Sequence, residues 1–313
     1  IKTENIRAQL QQHYNVRNID LTSDYENEID VLLLSGTNDS LDLEIRQKLE
    51  SFLENGKKIF LAQAGVKTDI QQQQASIINS DIFQFLSKYG LSVKRNLVLD
   101  DQCQSVQVQE RRGIFMMNRA MKYPFFPNIK TFNKNELMVS DLEQVVPFFP
   151  SEIILDTNEI EIVAGTTELF RTSNKSGLME NNFFLSPDPQ QNPFISILNQ
   201  QGKIISATSR LLNGGEIILV SDTKFLSDEA GMSVPDNLTF LLNTADYLIG
   251  ERELISLRSR EITSRPLEKL EDATRKNWKW ANILLPTLLV VSFGIIQLKR
   301  EKARANILEQ IYD

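Results

Sequence analysis

Trp280 to Leu298 reads WANILLPTLLVVSFGIIQL, 19 residues without a charge, and no other feature constrains the chain so tightly. At 1.5 Å per residue such a helix is about 28 Å long, close to the hydrocarbon thickness of a bilayer. Core helices of soluble domains rarely run this far without a charged face. The segment is therefore predicted to span a membrane. Asn282, Pro286, Phe293 and Gln297 recur within it at near-helical spacing on one side. Polar groups in hydrocarbon favour an interhelical partner, which makes these four the candidate partner face. Placement of Asn282 and Gln297 at the two water interfaces accounts for them equally well.

The remaining sequence alternates strand and helix signals. Asn5 to Tyr14 is predicted as an amphipathic helix and Val16 to Leu21 as extended chain. Ile29 to Gly36 (IDVLLLSG) is a nearly continuous apolar run, as in a strand buried on both faces. A helix over Leu41 to Glu54, capped at Asn55-Gly56, leads to a second buried strand at Lys58 to Gln63. That strand–helix–strand unit predicts a parallel pair and an α/β fold with a mostly parallel sheet. Gln71 to Gln74 reads as a polar loop or helix edge. A helix is expected at Ser80 to Tyr89 and one strand at Leu91 to Leu99. Two Pro-Phe-Phe-Pro repeats, at 124–127 and 147–150, exclude helix interiors and central strands and are expected to pack at the core rim. Further strands are expected at 153–155, 160–163 and 169–172. Asn213-Gly214-Gly215 marks a turn between strands at 203–208 and 216–221. Leu238 to Leu248 is a helix. Residues 251–279 carry eight Lys/Arg and six Asp/Glu, as an exposed linker would. The plan is thus a domain over 1–250, divisible near residue 150, a linker over 251–279, the span at 280–298 and a tail over 299–313.

Chemistry is sparse. A formal charge of −7 argues against nucleic acid as a partner, because neutralising phosphates needs a Lys/Arg surplus. One histidine and one cysteine exclude His/Cys zinc sites and any intrachain disulfide. No elbow motif surrounds Cys103, and His13 lies far away in the first helix, so no nucleophile is assigned. Neither GxGxxG after a strand nor GxxxxGK[ST] occurs, so no nucleotide cofactor, and no cofactor of any kind, is expected. Asp100, Asp101 and Asp222 end predicted strands, and Ser35-Gly36 and Ala64-Gly65 do the same. Open α/β sheets bind ligands at that carboxyl edge, so Ser35, Gly36, Asp100, Asp101 and Asp222 are the candidate ligand residues. Turn-capping accounts for the same aspartates.

Several motifs in order carry a family resemblance. IDVLLLSG (29–36), LENGKKIFLAQ (53–63), FLSKYGLSVKRNLVLDDQC (85–103), YPFFPNI (123–129), GGEIILVSDTKFL (214–226), NLTFLLNTADYLIGERELISLRSRE (237–261) and WKWANILLPTLLVVSFGIIQLKR (278–300) resemble gliding-motility-associated GldG proteins. These belong to a wider family of auxiliary components of ABC-type transport systems. The resemblance covers nearly the whole chain. It implies a glutamine-amidotransferase-like or flavodoxin-like domain outside the cytoplasm, with residues 299–313 inside, although the local Lys/Arg count alone favours the opposite orientation. It also implies a preceding span and strand, so that the chain reads as a fragment. Gln63-Ala64-Gly65 stands where an amidotransferase would carry its Cys elbow, so no enzymatic activity is expected. The implied partners are ABC permease and ATPase subunits and the lipid of the cytoplasmic membrane. The alternatives are a tail-anchored hydrolase-like or sugar- or peptide-binding protein with a degenerate site, and an envelope scaffold.

Overall fold

In the computed structural model, which describes residues 2–25, 28–112, 115–156, 160–188, 192–196, 198–255 and 272–312, the first helix, α1 (Glu4–Leu10), stops short of Tyr14. Residues 16–20 form no strand. Strand β1 (Val31–Ser35) follows, then α2 (Leu43–Glu54), which buries Leu49, Phe52 and Leu53 on one face. Gly56 adopts φ 75°, the left-handed conformation that ends α2 and turns the chain into β2 (Lys58–Ala62). β1 and β2 are parallel neighbours, registered from Val31↔Lys58 to Ser35↔Ala62.

Beyond β2 the strand–helix rhythm breaks. The hairpin β3 (Val66–Asp69) and β4 (Gln74–Ile77) turns through the glutamine run. Helix α3 (Ile82–Lys88) follows. The stretch 91–99, predicted as one strand, is two: β5 (Leu91–Val93) and β6 (Leu97–Asp100), which join different sheets. β7 (Cys103–Arg112) and β8 (Phe115–Pro127) make a long antiparallel ribbon. Next come β9 (Thr131–Phe132), β10 (Ile153–Leu155), β11 (Val163–Arg171) and β12 (Ser176–Met179). β11 takes up most of the strand predicted at 169–172 and only Val163 of the one at 160–163. β13 (Ile204–Leu211) and β14 (Glu216–Val220) are antiparallel across the predicted turn. The Asn213 side chain pins that turn to the end of α2, donating to Leu53 O (2.9 Å) and Glu54 O (2.8 Å). Helix α4 (Pro235–Ile249) closes the unit and ends at Gly250, φ 99°.

The main sheet runs β1-β2-β14-β13-β10-β5, with β11 and β9 continuing from β13. Only β1, β2 and β14 are parallel; every other pair in it is antiparallel. This corrects the expectation of a mostly parallel, amidotransferase-like or flavodoxin-like domain. The chain makes a single tight strand–helix–strand unit, and a parallel sheet needs one crossover per strand. The segment between β2 and β14 is spent largely on hairpins instead. β1 is also not buried on both faces: only Leu32 is buried, because β1 is the sheet edge.

Each face of the sheet carries its own core. Phe60, Phe170, Phe225 and Phe240 pack on the α4 side, and Leu49, Phe52, Leu53, Phe85 and Tyr89 on the α2–α3 side. A third cluster joins the two Pro-Phe-Phe-Pro repeats, with Phe126 and Phe148 rings 4.5 Å apart and Phe125 and Phe149 rings 6.0 Å apart.

The described part of the second unit is one helix, α5 (Asp272–Tyr312). Its segment Lys276–Lys302 is long and apolar enough to cross a membrane. The helix also takes in residues 272–279 of the predicted linker and nearly all of the predicted tail; linker residues 256–271 lie outside the described residues. Pro286 sits inside it and has no N–H to give the Asn282 carbonyl one turn earlier. Thr287 Oγ1 donates to the neighbouring Ile283 carbonyl (3.0 Å).

Candidate functional site

The carboxyl ends of β1, β2 and β14 bring Ser35, Gly36, Gln63, Ala64 and the segment Ser221–Thr223 to one edge, where an open α/β sheet would hold a ligand. Here the chain holds itself. Gly36 N donates to Ala62 O (2.7 Å) and Gln63 N to Val220 O (2.8 Å), extending both ladders by one residue. The buried Gln63 amide then crosses over: Oε1 accepts from Thr37 N (2.8 Å), and Nε2 donates to Thr37 O (3.1 Å) and Ala64 O (2.7 Å). Any Cβ at position 36 would lie 2.3 Å from Gln63 Oε1 and 2.5 Å from Ala62 O, so glycine is required by close approach. Ala64 N donates to Thr223 Oγ1 (2.9 Å) and Gly65 N to Ser151 Oγ (2.8 Å). Ser35 Oγ reaches Thr223 O at 3.4 Å. The amides that would face an anionic ligand are already satisfied by side chains.

The predicted aspartates divide. Asp222 belongs to this edge and is buried. Its Oδ2 accepts from Phe148 N and its Oδ1 from Lys224 N, each at 2.8 Å. Burial pushes its carboxyl up to about 7, outweighing the two backbone bonds and the Lys224 charge. Asp222 thus clamps the second Pro-Phe-Phe-Pro repeat. Asp100 ends β6, which pairs with β12 outside the main sheet. It accepts from Ser173 N (2.6 Å), Ser173 Oγ (2.6 Å) and Gln102 N (2.9 Å), and burial raises its carboxyl above the ordinary range. Asp101 pairs with Lys122 at 2.8 Å. Asp100 and Asp222 serve as internal acceptors, and Asp101 in a surface ion pair.

Cys103 opens β7, half-buried, and burial pushes its thiol up to about 11, far from the thiolate a nucleophile needs. His13 lies in the turn after α1 with its ring against Tyr14 (6.1 Å). Among the described residues no group of three or more His, Cys, Asp or Glu side chains could hold a metal ion.

Two features have no counterpart in the sequence reading. Arg210 donates through Nη1 and Nη2 to the two Glu136 oxygens (3.1 and 2.6 Å) and through Nε to Glu216 Oε1 (3.1 Å). The Thr208 hydroxyl donates to the same Glu216 oxygen (2.8 Å). This cluster staples β13 and β14 to the loop around Glu136. The second is a groove of about 750 Å³ along β1, lined also by residues of α1, of the 14–21 segment and of α4. Neither follows from periodicity, since both depend on which segments the fold brings together.

Residues 1–247 match a family described as an ABC-type uncharacterized transport system. An uncharacterized protein of Borreliella burgdorferi is 24% identical over 317 residues, covering 93% of this chain. The chain spans 60% of the length of that relative. Among solved structures, the mmIFT52 N-terminal domain shares the fold at 13% identity and a TM-score of 0.51, over 79% of this chain and 89% of that one. An alpha-L-fucosidase isoenzyme 2 from Paenibacillus thiaminolyticus aligns at 15% identity, over 75% of this chain and 27% of its own, with a TM-score of 0.34, too loose to define a shared fold.

Proposed function

The chain belongs to the ABC-type uncharacterized transport system family, and from that premise we propose that it is a non-catalytic auxiliary subunit, anchored in the cytoplasmic membrane by α5 and serving an ABC transporter of gliding motility or secretion. The family match across residues 1–247 carries this reading. The apolar segment 276–302 supports the anchor. The self-satisfied sheet edge and the protonated Cys103 support the absence of catalysis.

The partners are a permease and its ATPase, and α5 is the element that meets the permease. At 100° per residue, Asn282, Pro286, Phe293 and Gln297 fall within about 60° of arc, the face where Pro286 has no N–H to give the Asn282 carbonyl. Lipid gives apolar helices no drive to associate, so polar contacts and packing set the pairing. Replacing Asn282 and Gln297 together by Leu is expected to preserve membrane insertion and to lower co-purification with the permease several-fold, since each interhelical hydrogen bond is worth about 0.6–2 kcal/mol. Unchanged co-purification would move the contact to the α/β domain.

The domain lies outside the cytoplasm in this reading, with the C-terminal end of α5 inside. Protease added to intact spheroplasts is expected to digest the domain and spare the tail. A protected domain reverses the orientation.

A further inference from the structure

The β7–β8 ribbon is a sheet of two strands only, registered from Cys103↔Pro127 at its base to Arg112↔Phe115 at its outer end. The base is fixed, because Tyr123, Phe125 and Phe126 pack with Phe148 and Phe149 in the third core cluster. The outer part of β8 is not. Every residue from Met116 to Ala120 is exposed, Met116 by 64% and Met117 by 54%. Successive residues of a strand point to opposite faces, so the two methionines stand on the two sides of one ribbon. A flat protein surface covers one face of a ribbon. Covering both takes a medium that surrounds the end, as the interfacial zone of a bilayer does.

The charge of this element is opposite to that of the chain. Between Cys103 and Pro127 stand Arg111, Arg112, Arg119 and Lys122 against Glu110, a net +3 within a chain of net −7. Lys122 pairs with Asp101 near the base. The arginines lie farther out, with Arg111 registered opposite Met116, Arg112 opposite Phe115 and Arg119 opposite Val108. Cations beside exposed thioethers complement phosphate headgroups laid over acyl chains, since long basic side chains keep their charge among the headgroups while apolar neighbours go deeper. We propose that the outer end of the β7–β8 ribbon docks on the anionic phospholipid headgroups of a bilayer, with Met116 and Met117 entering the acyl boundary and Arg111 and Arg112 meeting phosphates. The inference rests on the α5 anchor of the proposed function, which holds the domain at high effective concentration beside that surface.

The test uses the full chain in nanodiscs of phosphatidylcholine, with or without phosphatidylglycerol, doped with lipids that carry a nitroxide on the acyl chain. A fluorophore on the exposed Asn118→Cys, in a Cys103→Ser background, reports lipid contact by quenching. The reference label sits on the exposed Leu212→Cys, before the start of β14, whereas the ribbon base packs through Phe148 against Asp222, just past the end of β14. Quenching at 118 is expected to be at least about threefold stronger with phosphatidylglycerol, since each Arg near an anionic surface favours contact by about fivefold. Met116→Ser with Met117→Ser, and separately Arg111→Gln with Arg112→Gln, are each expected to remove most of that gain. An unquenched label on a chain held in the discs overturns the proposal and leaves the anchor standing, while a chain that never enters them removes both. Equal quenching at 118 and 212, or quenching indifferent to phosphatidylglycerol or to either double variant, also overturns it. If such a variant instead lowers co-purification with the permease, the ribbon end belongs to a protein interface.

Discussion

Shortened to Ile1–Glu261, the chain is expected to stay in the aqueous phase of a detergent phase separation, while the full 313-residue chain moves to the detergent phase. The first unit has its cores, its sheet and its caps within those residues. The second contributes α5, whose segment 276–302 is long and apolar enough to cross a membrane. Eleven Leu, Ile, Val and Phe residues lie between Trp280 and Leu298. At roughly −0.3 to −0.6 kcal/mol each they favour insertion by about 3–7 kcal/mol, before the smaller costs of Asn282 and Gln297. Two polar residues near the ends do not reverse that sum. Identical partitioning of the two chains would remove the anchor, and with it the membrane part of the proposed function.

Raising the pH from 4 to 7 is expected to weaken the domain through Asp222. Its folded carboxyl titrates near 7 against an ordinary value of 3.8, because burial penalises the charged form. Below about 4 the side chain is protonated folded or unfolded and contributes no pH dependence. Between the two values unfolding releases a proton, so each unit of pH costs about 1.4 kcal/mol, and the full difference is about 4 kcal/mol by pH 7. The loss then levels off, since above the folded value both states are ionised. Asp222→Asn isolates this contribution from the other carboxylates. The variant is expected to lose about 1–3 kcal/mol at pH 4, because its amide nitrogen meets one of the two backbone donors from Phe148 and Lys224. Its denaturant midpoint should fall less steeply with pH than that of the natural chain. Parallel curves would place the titration elsewhere.

Local signals were legible where one short stretch decides its own conformation. Asn55-Gly56 ends α2, Asn213-Gly214-Gly215 reverses the chain between β13 and β14, and the uncharged run makes α5. Strand partners were not legible. An apolar pentapeptide such as Val31–Ser35 reads the same at a sheet's centre or its edge, and only the pairing distinguishes them. The run Leu91–Leu99 is broken by Lys94-Arg95-Asn96, where the chain changes sheets. Strand β7 alternates Gln and Val with no buried large side chain among its described residues, so it gives little periodic signal. Among the site residues, Ser35, Gly36 and Asp222 do meet at one edge. A residue that presents an acceptor to a ligand and one that presents it to Thr37 or Phe148 are identical in sequence. The crossing amide of Gln63 makes the difference, and it is 26 residues from its Thr37 partner.

The 14–21 segment has a consequence for how the protein behaves in a crowd. A bare strand edge with aliphatic side chains is a template for polymerisation, and natural sheets blunt such edges with charge, proline or a covering loop. Here β1 carries no charge and no proline, and the overlying segment makes no ladder with it. What it supplies is cover: Tyr14, Val16, Ile19 and Leu21 line the space beside β1 and pack against the two cores. An aliphatic edge shielded by a segment of its own chain presents less template to a neighbouring sheet at high concentration.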